Sequence, residues 1–425
     1  MNRAAARRTV QNSGITESNR RVVGRVRGTR PGPMVLVIAG LHGNEPAGVR
    51  AVERLFHTLG ARDTPVRGEI VGLAGNLTAL AHGRRFLVRD LNRSWTRRRI
   101  ASIRARPGDV EESEQLELLE LIEDLLRGRE SESIILDLHT TSSESIPFCT
   151  LGDTIRNREF ARRLEIPVVL GIEEQIHGAL LEYIGARGPV TVGVEGGQHD
   201  DPSSVDYHEH VLWTALVQAG CLDAADVPDY ETRRGALVQA RGGLSRFFEV
   251  RARRAVSEGD GFAMRPGFRN FEPVTEGQPL ADDRRGAVVA PEKGRIFLPL
   301  YQEQGDDGFF IVRPIHESWL RLSTVLRHLR FDRLARLLAA RGWQRRAAEL
   351  RQRLRQALGL HRPARALRGG DPRRGDSADR RRRRAGLGAL RLRRLPLDPG
   401  AALGLARRGR RGGGMSDAAE ARIHP

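Results

Sequence analysis

Short apolar runs alternate with stretches whose apolar positions recur every three or four residues over roughly 30–225. Val35, Leu36, Val37 and Ile38 predict a strand over 34–39. Val49, Val52, Leu55 and Phe56 then predict a helix to about Leu59. RGEIVGLA at 67–74 reads as a second strand, ending at Gly75-Asn76. EESEQLELLELIEDLLR at 111–127 reads as an amphipathic helix, its acidic residues crowded into the first half and Arg127 at its end, as the helix dipole prefers. IILDL at 134–138 predicts a buried strand that ends at His139, and 166–170 and 190–194 predict two more. RRVVGRVRG at 20–28 alternates as an edge strand does. Strands alternating with helices predict an α/β fold with a mostly parallel or mixed sheet and helices on both faces.

The pattern changes near Val227–Asp229. Residues 240–315 carry short strands between Gly- and Pro-rich turns, and 317–357 return to helical spacing through Trp319, Leu322, Val325, Leu326 and Leu329. The expected organisation is therefore a polar N-terminal arm (1–19), an α/β domain (20–229), a small all-β module (230–316), a helical segment (317–359) and a low-complexity basic tail (360–425). The tail is expected to be disordered, because it has too little apolar surface to offset its ordering entropy.

Charge sharpens that division. The chain has 425 residues and a net charge of +18, but residues 321–425 hold 29 Arg against 8 acidic residues, a net of +21. The preceding residues therefore carry −3, and the basic pI describes the tail rather than the body. The tail could bind polyanions non-specifically. No specific nucleic-acid partner is expected, because no aromatic interleaves with the basic run beyond 360. Lys293 is the sole lysine, and the Arg excess reads as codon bias. Cys149 and Cys221 form no CxxC, and neither a secretory apolar core nor a membrane-spanning run is found, so a cytoplasmic location and no membrane partner are expected. A homo-oligomer is left open.

The candidate chemistry lies at the strand ends. VIAGLHGNEPAG at 37–48 presents His42 and Glu45 between a strand and a helix. One imidazole and one carboxylate are part of a His₂Glu zinc site, and His139 at the end of IILDLH is the candidate third ligand. Carboxyl ends of strands in an open α/β sheet face a common crevice, so the three would leave one position of a single zinc ion open. Glu195, in VTVGVEGGQ, is the candidate general base. RRFLVRDLNRSW offers Arg85 as an oxyanion stabiliser, Asn92 and Arg93 for a substrate carboxylate, and Asp90 to hold the far nitrogen of a ligand histidine.

HGNE at 42–45, RDLNRSW at 89–95, LDLHTTS at 136–142 and VGVEGG at 192–197, in this order, resemble the succinylglutamate desuccinylase/aspartoacylase family of the zinc carboxypeptidase superfamily. The resemblance covers roughly 30–320. It implies a zinc carboxypeptidase-like fold and zinc on His42, Glu45 and His139. It implies catalytic Glu195, an oxyanion arginine at Arg85 and carboxylate-binding Asn92 and Arg93. The implied reaction is hydrolysis of the amide of a small N-acyl amino acid by Glu-assisted attack of water on the metal. It also implies that the β module is a lipoyl-like half barrel. A metallocarboxypeptidase acting on a peptide C-terminus, or a metal-free binding protein of the same fold, are the alternatives. The aspartoacylase branch has a further substrate arginine shortly before the catalytic Glu; the nearest here, Arg187, is out of register. His199, His208 and His210 read as a solvated loop and helix start rather than a second metal site.

Overall fold

The computed structural model describes residues 10–11, 21–62 and 64–328. Most of the N-terminal arm, the helical segment past His328 and the whole basic tail lie outside the described residues.

The strands, in chain order, are β1 (Val10–Gln11), β2 (Val22–Arg27), β3 (Arg30–Ala39), β4 (Arg67–Ala74), β5 (Ser133–Thr141), β6 (Phe148–Leu151), β7 (Val168–Leu170) and β8 (Val190–Gln198). They continue as β9 (Phe247–Ala255), β10 (Ala263–Met264), β11 (Pro273–Val274), β12 (Pro279–Asp283), β13 (Gly286–Val289), β14 (Gly294–Phe297) and β15 (Asp307–Ile315). The helices are α1 (Ala47–Ala61), α2 (Leu77–His82), α3 (Arg97–Ala105), α4 (Val110–Leu126), α5 (Ile155–Ala161), α6 (Leu180–Gly185), α7 (Ser203–Ala219), α8 (Tyr230–Arg241) and α9 (Glu317–His328).

Twelve strands form one mixed sheet in the order β1-β2-β4-β3-β5-β8-β6-β7-β9-β15-β14-β11, and β10-β12-β13 form a small second sheet. The central strands β4, β3, β5 and β8 run parallel to one another. Both faces of these strands are apolar because both are covered. Val35, Val37 and Ala39 of β3 pack into a core with α1 and α7, through residues such as Val52, Leu55 and Leu212. Met34, Leu36 and Ile38 face the opposite way, toward Leu118, Leu119 and Ile122 of α4. Successive side chains of a strand alternate between faces, so one continuous apolar run serves two cores.

The acidic half of α4 does more than complement the dipole. Asp109 caps the helix by accepting from the Glu112 amide at 2.9 Å. The Glu111 carboxylate accepts from the backbone of Leu87 (2.7 Å) and Val88 (3.1 Å), and Glu114 from the backbone of Thr78 (2.9 Å). These buried carboxylates tie the segment around Arg85 to a rigid helix.

The sheet carries on past the predicted boundary near 227–229. β9 pairs in parallel with β7, and β15 pairs antiparallel with β9. Phe148, Phe248, Phe271, Phe297 and Phe310 form a buried cluster there, with neighbouring ring centroids 4.9–6.3 Å apart. The segment between β14 and β15 is thereby held against the carboxyl ends of the central strands.

Candidate functional site

Three neighbouring parallel strands deliver the site. β3 ends at Ala39, in register with Leu138 of β5, and His139 of β5 is in register with Glu195 of β8. The turn after β3 holds His42 and Glu45 against this edge. A Cβ at Gly43 would lie 2.0 Å from the Ala79 backbone carbon, so only glycine lets the turn seat on α2.

His42, Glu45 and His139 are buried, and one ligand atom of each lies within 4.8 Å of the others. Among the described residues, they form the group able to hold a metal ion. The Nδ1 atoms of His42 and His139 each lie 2.9 Å from an oxygen of the Glu45 carboxylate. Each far nitrogen meets a different carboxylate: His42 Nε2 is 3.1 Å from Asp90 Oδ1, and His139 Nε2 is 3.0 Å from Asp137 Oδ2. Both imidazoles are thus oriented with Nδ1 toward one point, the arrangement of an imidazole ligand set backed by outer carboxylates.

Charge obeys the same geometry. Burial alone would raise the Glu45 pKa, but His42 and His139 outweigh it and hold the carboxyl well below its usual range. Burial would lower the His139 pKa, but Asp137 and Glu45 push it well above the usual histidine value. For Asp90, Arg85 and His42 overcome burial and keep it ionised.

Glu195 is different. Burial pushes its pKa up to about 8, with nearby Glu45 and Asp137 adding to the rise and His139 and Arg85 opposing it. Its Oε2 is buried without a hydrogen-bond partner. A buried carboxylate oxygen left without a donor beside two imidazoles and a carboxylate suits a site that takes up a cation and a polar reactant.

Arg85 donates to Asp90 at 2.9 Å, and its Nη1 is 3.5 Å from Glu45. Asn92 Nδ2 lies 3.4 Å from His139 Nε2, and its Oδ1 accepts from the Leu180 amide at 2.9 Å. Arg93 Nη2 donates to Asp307 Oδ2 at 2.9 Å, and Asp307 also takes Arg253. All the predicted site residues therefore come together around one cavity of about 450 Å³, except that Asp90 stands behind His42.

Sequence reasoning passed over Asp137 and Asp307. Asp137 precedes His139 by two positions, and residues two apart on a strand share a face, so its signal was present in LDLH. Asp307 gave no local signal; it reaches Arg93 across 214 positions. His199 is half-buried rather than solvated: Nδ1 lies 2.7 Å from Thr140 Oγ1 and Nε2 3.0 Å from Gln302 Oε1, which also accepts from Asn44 at 3.0 Å. His208 is buried in α7 and His210 faces Arg233, so the three histidines do not converge. Arg187 lies outside the cavity, stacked 4.5 Å over the Tyr183 ring and paired with Glu123. Both cysteines are free and buried. Among the described residues, no helix is long and apolar enough to cross a membrane.

Residues 31–206 match the succinylglutamate desuccinylase/aspartoacylase catalytic domain. A succinylglutamate desuccinylase from Pseudomonas fluorescens Pf-5 is 32% identical over 106 residues, which are 25% of this chain and 30% of that protein. One from Pseudomonas putida KT2440 is 38% identical over 64 residues, 15% and 19% respectively. The chain thus spans at most about a third of the length of these curated relatives. A succinylglutamate desuccinylase structure from Vibrio parahaemolyticus superposes with a TM-score of 0.51 at 15% identity, covering 70% of this chain and 87% of that one. The product-bound ectoine utilization protein EutE from Ruegeria pomeroyi gives 0.50 at 20% identity, covering 68% and 88%. These likenesses show the fold.

Proposed function

We propose, because the chain belongs through residues 31–206 to the succinylglutamate desuccinylase/aspartoacylase family, that it is a zinc-dependent amidohydrolase that removes the acyl group from an N-acyl amino acid. The observation that carries this reading is the convergence of His42 Nδ1, His139 Nδ1 and the Glu45 carboxylate beside a Glu195 oxygen that has no partner.

Two imidazoles and one carboxylate suit zinc with an open position, and zinc held there would act as a Lewis acid on the amide carbonyl and activate water. Glu195 takes the proton of the attacking water and passes it to the leaving nitrogen. Arg85, fixed by Asp90 at 2.9 Å, faces the oxygen on which charge develops. Arg93 and Asn92 hold the substrate carboxylate; Arg93 has five N–H donors, and Asp307 and the Asn92 carbonyl leave others free for the substrate. Gln302, pinned to Asn44 and His199, lines the cavity on the side of the loop between β14 and β15.

The test is direct. The full chain loaded with zinc is assayed against N-acetyl-, N-formyl- and N-succinyl-amino acids, with bound metal measured in the same preparation. Stoichiometric zinc and turnover of at least one compound are expected; a protein that binds no zinc and turns over none overturns the reading.

Two substitutions probe the supporting residues. Arg93→Lys keeps the charge and loses the planar fork, so KM is expected to rise about 10-fold or more with a smaller change in kcat. A KM equal to wild type would remove Arg93 from the substrate. Asp137→Asn weakens the acceptor behind His139 and is expected to lower zinc affinity by about 10–100-fold, measured by competition with a chelator.

A further inference from the structure

The cavity does not stop at the metal ligands. Glu195, Gly193 and Thr191 lie two residues apart on β8 and all line it, so it runs back along one face of the strand for about 13 Å. Thr150 of β6 is opposite Gly193 in the antiparallel register and forms the neighbouring wall. Gly193 keeps the passage open. A Cβ there would lie 2.7 Å from Thr150 Oγ1 and 3.5 Å from Leu181 Cδ1.

The position of α6 says which part of a substrate enters this branch. Leu180 at the start of α6 donates its amide to Asn92 Oδ1, so Leu181 and Gly185, which cover the branch, begin beside the carboxylate-binding pair. With the amide carbonyl at the ligand set and the carboxylate on Asn92 and Arg93, the group pointing down the branch is the amino-acid side chain.

Its walls offer that side chain no cation. Among the described residues, the guanidinium groups lining the whole cavity are Arg85 and Arg93. Arg85 is neutralised by Asp90. Arg93 and Arg253 share Asp307, which leaves this trio one positive charge, enough for one carboxylate. Glu173 and Glu182 also line the cavity, and burial of Glu173 disfavours its charged form. Asn157, which could have offered an amide, is used: it donates to the Gly152 carbonyl at 2.9 Å and accepts from the Thr191 amide at 3.2 Å. Leu151, Leu181 and Pro189 supply apolar surface. A second substrate carboxylate would be buried with no counter-ion, whereas an alkyl chain gains by leaving water.

We infer that the preferred substrate is the N-acyl derivative of a neutral amino acid with an extended aliphatic side chain, and that the branch beside Gly193 selects against acidic amino acids. This rests on the deacylase reading and narrows it.

The test measures kcat/KM of the zinc-loaded full chain on N-acetyl-L-norleucine, N-acetyl-L-alanine, N-acetyl-L-aspartate and N-succinyl-L-glutamate, with binding of each measured by calorimetry on Glu195→Gln. The norleucine compound is expected to exceed both acidic ones at least about 10-fold in both readouts. Faster turnover of either acidic compound overturns the inference and leaves the deacylase reading standing. Selective binding of the norleucine compound with no turnover by the wild type overturns the deacylase reading and leaves only the selectivity of the branch for an aliphatic side chain. Gly193→Ala is expected to lower the norleucine-to-alanine ratio at least about 10-fold, and Leu181→Phe, which fills the branch from the opposite wall, does the same should the first variant not fold. An unchanged ratio in a folded variant overturns the inference.

Discussion

Glu195→Gln is expected to lower kcat on any N-acyl amino acid that the wild type hydrolyses by about 10²–10⁴-fold, the range of a positioned proton-transfer group. The substitution keeps shape and removes basicity. Zinc content is expected to stay stoichiometric, because Glu195 stands beside the ligand set rather than in it. A pH profile separates this from a packing effect. The base must be ionised to act, and burial places the Glu195 pKa at about 8 without a metal. A cation on His42, Glu45 and His139 favours the carboxylate and draws that value down. The wild-type rate is therefore expected to rise with pH along a limb between about 4.3, the ordinary Glu value, and about 8. In Glu195→Gln this limb disappears. A variant that retains wild-type kcat would remove Glu195 from the chemistry.

His139→Ala is the second large effect. Removing one of three ligands is expected to weaken zinc binding by more than about 100-fold, beyond the effect of an outer carboxylate. Turnover falls to background. A structural readout accompanies it: zinc at 100 times its Kd stabilises a protein that binds it only when folded by about 2.7 kcal/mol. The thermal shift on adding zinc, expected in the wild type, is lost in the variant. His139 also stands between Asp137 at 3.0 Å and Glu45 at 2.9 Å, so its loss leaves two buried carboxylates facing each other's field. An Asn at 139 returns a hydrogen-bonding group without an imidazole ligand and separates that repulsion from loss of the metal. Retention of zinc by either variant at wild-type affinity would show that His139 is not a ligand.

The meeting of His42, Glu45 and His139 was legible because strand ends in a parallel sheet are predictable places. The apolar runs 34–39 and 134–138 are unambiguous, and the residues just beyond each run are fixed to the same edge of the sheet. The RDLNR stretch was legible by composition, since a guanidinium beside an amide is able to bind a carboxylate, and the structure puts Asn92 and Arg93 on the cavity wall. Asp90 behind His42 was expected from the need of a ligand imidazole for an outer acceptor, and the structure has it at 3.1 Å.

Asp307, Gln302 and the branch beside Gly193 were not legible. Asp307 meets Arg93, and Gln302 meets Asn44 and His199, only because β15 returns beside β9 and carries the preceding loop over the strand ends. No periodicity records such a contact. The branch is a gap left by a missing side chain, and its size depends on how closely Thr150 and Leu181 approach Gly193.

By itself the sequence determined the alternating α/β order and picked out His42, Glu45, His139 and Glu195, which the fold brings to one cavity, since these depend on local period and on chemistry carried within a few residues. Tertiary structure decided which carboxylates neutralise which arginines, and therefore how much charge is left for a substrate. That balance is set by distances of a few ångströms between strands far apart in the chain, where burial strengthens every unpaired charge.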